Sequence, residues 1–262
     1  CVRGEPIVDN TLVRNDTDNT VTDYSTELMW QDDEAVTAGR VLWSAALTNC
    51  ENLSLAGYND WRLPNISELN SIVDISSNDS ADYSAFTNTI SNAFWSMTTY
   101  AGDETDALAV SFTSGGIVRV AKDLYMRQRC VRDTNNDSNQ GKAIIKKTGQ
   151  TARYHPRDDG YFQPGTTISY SRDDANDIVT DNLTGLVWQD DATVDSVTYT
   201  WTEAIDHCEN LSMGEKSDWR LPSFKELNSI IYYPGFEQAL EGTFQAREDS
   251  SKWTSTSFSS DP

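Results

Sequence analysis

Apolar residues at Trp43, Ala46, Leu47, Cys50 and Leu53 recur at spacings of three and four, which predicts a helix with one buried face. Trp201, Ala204, Ile205, Cys208 and Leu211 draw the same face further along. A second, shorter helix is predicted after Pro64. Asn65 stands at its N-cap position and Glu68 three residues on, the pattern of a capping box, with Leu69, Ile72 and Val73 facing inward. Ser223 and Glu226 repeat that arrangement. Before the helices, VTDYSTELMWQ (21–31) carries β-branched and aromatic residues after an Asp/Asn turn, as a strand or hairpin does. After them come four short strand-like runs, FWSMTTY, ALAVSFT, IVRVAK and YMRQRCVR, with Gly115-Gly116 as a turn. The prediction is an α+β unit: two small helices, then an antiparallel meander.

The pattern occurs twice. VTDYSTELMWQDDE (21–34) and VTDNLTGLVWQDDA (179–192) share 9 of 14 residues, and the 23-residue blocks that begin at Cys50 and Cys208 share 15. Both lie 158 residues apart, as do Trp95 and Trp253. A constant offset across three blocks indicates tandem homologous domains. DWRLP then marks one corner per domain. Its Trp (Trp61, Trp219) anchors the segment between the helices. Its Pro (Pro64, Pro222) keeps the preceding Leu extended, and its Arg (Arg62, Arg220) can reach a carbonyl or carboxylate through a rigid donor fork.

The repeats differ in extent. Only the first continues to a Cys-Val-Arg strand, at Cys130, while the chain opens with Cys1-Val2-Arg3, which matches it. The expected boundaries are 1–4 as the end strand of a preceding copy or an exchanged strand and 5–132 as the first domain. Residues 133–145 would be a polar linker, and 146–262 a lead-in and a second domain lacking its C-terminal part. Cys50 and Cys130 are the one cysteine pair complete within a repeat, which predicts a disulfide from helix to sheet. Cys208 needs a partner from elsewhere: a cysteine beyond Pro262, or Cys1 of another chain. Cys1 has a further alternative, as the lipid-bearing residue of a lipoprotein.

Composition narrows the function. Among 262 residues there are 41 acidic and 20 basic ones, a net charge of -21 that repels a phosphate backbone, so a nucleic-acid partner is excluded. No apolar run is long enough for a transmembrane segment. The two histidines and the dispersed cysteines form no zinc or iron–sulfur motif. No nucleophile motif, metal triad or phosphate loop points to an enzyme. Calcium is the one cofactor to consider, at Asp16, Asp18 and Asp23 and again at Asp174, Asp177 and Asp181. Neither run follows the twelve-position calcium loop, and side-chain-capped turns account for both equally well.

VTDNLTGLVWQ, the helix ending in Cys, the corners DWRLPNISEL and DWRLPSFKEL, the FWSMTTY strand and the closing RCVRD together resemble one bacterial family, DUF1566, the Lcl C-terminal domain. KTGQTARYHPRDDGYFQPG is similar to segments that precede such domains. The resemblance implies tandem C-type-lectin-like folds, each with two helices on a twisted antiparallel sheet with long loops. It implies a secreted or surface-exposed bacterial protein, extracellular, without catalytic residues, that binds ligands or mediates attachment. Trp30, Trp188, Cys50, Cys208, Trp61, Trp219, Arg62, Arg220, Pro64, Pro222, Trp95, Trp253 and Cys130 carry the family pattern and read as fold signature, with Cys1 as the matching end-strand cysteine. Sulfated glycans are ligands of some members, but a charge of -21 opposes that class here. The expected ligand surface is on the loops, at Tyr83, Phe86, Tyr100, Asp103 and Asp106, with Tyr232, Tyr233 and Arg247 in the second repeat. Partners would be a glycan or protein surface, or copies of the chain itself in a fibre joined through domain ends.

Overall fold

In each repeat the chain first turns through a hairpin fastened by an aspartate. Asp23 and Asp181 are fully buried, and each accepts the backbone N–H two residues ahead, from Ser25 and Leu183 at 3.0 Å. These Asx turns satisfy buried donors while reversing the chain. The computed structural model describes residues 1–7, 11–75, 85–134, 145–231, 243–245 and 251–257. The chain divides into two compact α+β units, one of them containing Thr167–Ser257 together with the chain's first residues.

The unit built on the first repeat holds β2 (Leu12–Asn15), β3 (Thr20–Asp23), β4 (Leu28–Gln31) and β8 (Val131–Asp133) as one antiparallel sheet in that order. A second antiparallel sheet is β5 (Ala93–Thr99), β6 (Asp106–Ser111) and β7 (Gly116–Ala121). Its helices are α1 (Ala35–Ala38), α2 (Trp43–Glu51), α3 (Ile66–Ser71) and α4 (Asp159–Phe162). The predicted apolar face of α2 packs on Trp61, Leu63, Trp95, Met97, Ala107 and Ala109.

The other unit begins with β1 (Val2–Arg3), which joins β11 (Val187–Gln189), β10 (Ile178–Asp181) and β9 (Tyr170–Asp173) in a four-stranded antiparallel sheet. Its helices are α5 (Thr193–Ser196), α6 (Trp201–Glu209) and α7 (Phe224–Ser229). β1 sits on β11 as β8 sits on β4: Val2 pairs with Trp188, and Val131 with Trp30.

Both predicted capping boxes are present, at Asn65–Glu68 and Ser223–Glu226. Their glutamates do more than cap. Glu68 takes both guanidinium nitrogens of Arg62 at 2.7 Å, and Glu226 takes those of Arg220 at 2.6 Å. The DWRLP arginine is therefore a clamp that binds the corner to the start of the next helix. Its backbone pairs in both directions with the closing strand, Arg62 with Val131 and Arg220 with Val2, all at 2.9 Å. Just beyond, Arg132 grips Asp60, and Arg3 grips Asp218.

Cys50 and Cys130 are disulfide-bonded, as the repeat predicts. Cys208 is bonded to Cys1 of the same chain, which is neither of the two partners expected from sequence, and the Cys1 sulfur is thereby committed against a thioether lipid. Residues 145–166 also differ from expectation: grouped by sequence with the second repeat, they make their described contacts with the first. Buried polar groups of Thr98 and Thr99 on β5 and of Asn65 find partners in this segment.

Replacing Arg62 by Met strands a buried carboxylate, and a loss of about 3–5 kcal/mol is expected. Arg220→Met costs less, because the Arg220 side chain is 29% exposed against 8% for Arg62 and solvent screens what remains. Urea unfolding of the two variants, read with hydrogen exchange to separate the units, checks the order.

Candidate functional site

Of the loop residues expected to bind ligand, the four described ones are engaged by packing or ion pairs. Phe86 is buried beneath the guanidinium of Arg129, 4.2 Å from its ring centre. Tyr100 is buried under Arg119, which also binds Asp103 and Asp106. Two bonds from Thr105 hold the Asp103 carboxyl below the usual carboxylate range. Tyr83, Tyr232, Tyr233 and Arg247 lie outside the described residues.

The aspartates considered for calcium are taken up by turns and arginines. Asp16 pairs with Arg14, and Asp18 with Asn15. Asp174 and Asp177 both face Arg172, while Asp23 and Asp181 cap their own turns. Among the described residues no group of three or more His, Cys, Asp or Glu side chains could hold a metal ion.

A buried polar clasp lies at the segment 145–166. Asp159 is fully buried, and one of its oxygens accepts from both Thr98 and Thr148 at 2.6 Å. Gln150 accepts the Thr99 N–H at 2.7 Å and donates to Asp158, and Asn65 donates to the carbonyl of Pro164. Gly160 is required here, since a Cβ would lie 2.0 Å from the carbonyl oxygen of Ala152. Burial pushes the Asp159 carboxyl up to about 6, with nearby Glu68 adding to the rise; the two threonine bonds and Arg62 oppose it.

The second unit exposes two tryptophans, Trp201 and Trp253. Residues 251–257 match the place of β5 in the first unit at four bonds. Trp253 Nε1 donates to Tyr199 O at 2.7 Å as Trp95 does to Val41 O at 2.9 Å. Trp201 donates to Thr254 O as Trp43 does to Ser96 O, each at 2.8 Å. Ser255 N donates to Pro222 O as Met97 N does to Pro64 O, also at 2.8 Å. The N–H of Phe224 meets the Thr256 hydroxyl as that of Ile66 meets Thr98, at 3.0 Å.

What differs is the cover. In the first unit β6 lies over these rings, and Trp43 and Trp95 are 3% and 0% exposed. In the second unit Trp201 is 39% and Trp253 52% exposed. Beside them opens a cavity of about 230 Å³ lined by Trp188, Tyr199, Ala204, His207, Leu221 and Trp253 among others. Large apolar surfaces of this kind mark interaction sites. Sequence reasoning placed Trp253 in the fold signature and Trp201 on a helix face, which is where their indole nitrogens act. It missed that their rings stay open.

The Lcl C-terminal domain family model matches residues 19–132 and 177–262. No curated protein matches the chain.

Because the carboxyl of Asp159 is raised by folding, its contribution to stability is complete below the ordinary aspartate value near 4 and is lost as pH rises through about 6. The clasp is expected to lose roughly 3 kcal/mol between pH 4 and pH 7.5, since each tenfold change in proton affinity is worth about 1.4 kcal/mol. Exchange rates of the 148–162 amides, corrected for intrinsic pH dependence, read this directly, and Asp159→Asn is expected to flatten the response.

Proposed function

The chain belongs to the Lcl C-terminal domain family, and from that premise we propose that it is a non-catalytic binding module of a secreted or surface-exposed bacterial protein. It attaches through the open aromatic face of its second unit. The observation that carries this reading is the pair Trp201 and Trp253, held rigidly by their indole N–H bonds while their ring faces stay in water. Rigid aromatic side chains supply contact area at small entropic cost and stack on sugar rings or protein side chains. Two disulfides support an oxidising compartment, and no helix among the described residues is long and apolar enough to cross a membrane. The C-type-lectin-like fold belongs to the same proposal. It is supported by the pairing of short helices with antiparallel sheets in each unit. The acidic balance favours neutral glycans or protein surfaces over sulfated ligands.

Retention of the labelled protein on bacterial and host cell surfaces and on a glycan panel tests the reading. Trp201→Ala combined with Trp253→Ala is expected to lower retention at least tenfold. Equal retention by the variant, or none by the parent protein, would overturn it.

A second reading, a fibre joined through domain ends, draws on one bond. Cys1 closes onto Cys208 across 207 residues, and the same strand could be delivered by a neighbouring chain. The two arrangements separate on a non-reducing gel of the protein isolated from its native surface. Monomers with a Cys1–Cys208 peptide are expected for the binding module, and a ladder collapsed by reductant for the fibre.

A further inference from the structure

The second sheet of the first unit ends on β7, whose outer edge carries no strand among the described residues. Which backbone groups face that edge follows from one bond. The Lys122 N–H donates to Thr105 O, toward β6, and backbone direction alternates along a strand. Val120, Val118 and Gly116 therefore bond to β6, opposite Ala107, Ala109 and Ser111. The β5 side of the sheet gives the same parity. Tyr100 N–H bonds to Asp106 O and Phe112 N–H to Asn92 O, which leaves Ala107, Ala109 and Ser111 turned toward β7. The N–H and C=O of Ile117 and Arg119 thus point outward, as does the Ala121 N–H, while the Ala121 carbonyl is taken by Leu124. The edge lacks the usual protections. Gly116–Ala121 reads GIVRVA, without proline or acidic residue, and runs against β6 with no register shift. Val118 and Val120 pack on the core and hold the strand in place. The one charge, Arg119, is drawn over Tyr100 to Asp103 and Asp106. Leu124 and Tyr125, just past the strand, are 50% and 60% exposed.

We propose that β7 pairs antiparallel with β7 of a second copy of the chain, joining the two sheets into one about a two-fold axis. The occupant is a second copy because the strand is complementary to itself in one register. Outward-facing residues must meet outward-facing residues. Val118 opposite Val118 sets Ile117 against Arg119, and each N–H then meets the other's carbonyl. Gly116 falls opposite Val120, so a large side chain meets the smallest. The next allowed register sets Arg119 against Arg119 and calls on the Ala121 carbonyl, which Leu124 already holds. Like charges directly opposite and the lost bond disfavour it. Residues 107–122 contain no acidic side chain, so the hairpin itself adds no like charge to a contact between two chains of net charge -21. The contact uses the same patch on both copies and closes at a dimer. It is short, which makes the dimer weak. The inference is independent of the aromatic face of the second unit.

The probe is the intact chain itself. Sedimentation from about 1 μM to about 1 mM is expected to show a reversible passage from monomer to dimer. Amide exchange then separates this contact from any other. On dimerisation the Ile117 and Arg119 amides are expected to slow roughly tenfold or more, while those of Val118 and Val120, already bonded to β6, stay unchanged. Ile117→Pro removes an outward donor that has no bond within the monomer, and is expected to keep the chain monomeric throughout. Should that variant fold poorly, Ile117→Lys takes its place. It sets a like charge against Arg119 of the second copy and is expected to weaken the dimer roughly tenfold or more. A chain that is monomeric at every concentration overturns the proposal. So does a dimer in which the Ile117 and Arg119 amides exchange as before, or one that Ile117→Lys leaves equally tight. Protection of those two amides in the monomer also overturns it, assigning the edge to another part of the same chain.

Discussion

The fold of each unit depends on one buried fork, Arg62 on Glu68 and Arg220 on Glu226. An isolated carboxylate in either position would be expelled from the interior, because desolvation of a charge outweighs what packing returns. Burial and the paired guanidinium act in opposite directions on Glu226. The bonds from Arg220, Ser223 and Ile7 prevail, and its carboxyl sits below the usual range. With both oxygens occupied, the glutamate also caps its helix, so a single pair sets the turn of the chain, the start of the second helix and the height at which the corner meets the closing strand. Loss of the arginine would therefore release three elements at once.

That corner explains how a strand of two residues, β1, can complete a sheet. Two backbone bonds to Arg220, a bond from the Gln189 N–H to the Cys1 carbonyl, the grip of Arg3 on Asp218 and the disulfide form the same socket that receives Cys130, Val131 and Arg132 in the first unit. Affinity of this kind is dominated by main-chain bonds and the covalent link, so it asks little of sequence length. It also explains why closure within a chain and closure between chains are chemically equivalent and separated only by how far the connecting chain reaches.

The two units share one plan and differ in what lies over their tryptophans. In the first, β6 and β7 cover the tryptophans, and the segment 145–166 seals the other side with Asp158, Asp159 and Gln150. Asp159 there is held by Thr98 and Thr148, and Gln150 links the Thr99 N–H to Asp158, which suits rigidity. In the second, the tryptophans are fixed by the same indole bonds but left facing solvent. A surface that is both ordered and apolar loses little entropy when it is covered.

Much of this was readable from the residues. The 158-residue offset, the two capping boxes, the apolar faces of α2 and α6 and the Cys50–Cys130 bond follow from local spacing and repetition, because helix periodicity and cap chemistry act over a few residues. The sequence also supplied the reach of the DWRLP arginine, though not its target. Tertiary structure alone decided that Glu68 and Glu226 serve both cap and fork, that Cys1 closes onto Cys208 of its own chain, and that residues 145–166 belong with the first repeat. It also decided that Phe86 and Tyr100 pack while Trp201 and Trp253 stay open. Each of those outcomes depends on which side chains the folded chain brings together, from six positions apart for Arg62 and Glu68 to 207 for Cys1 and Cys208, and the pattern of residues along a chain carries no record of that pairing.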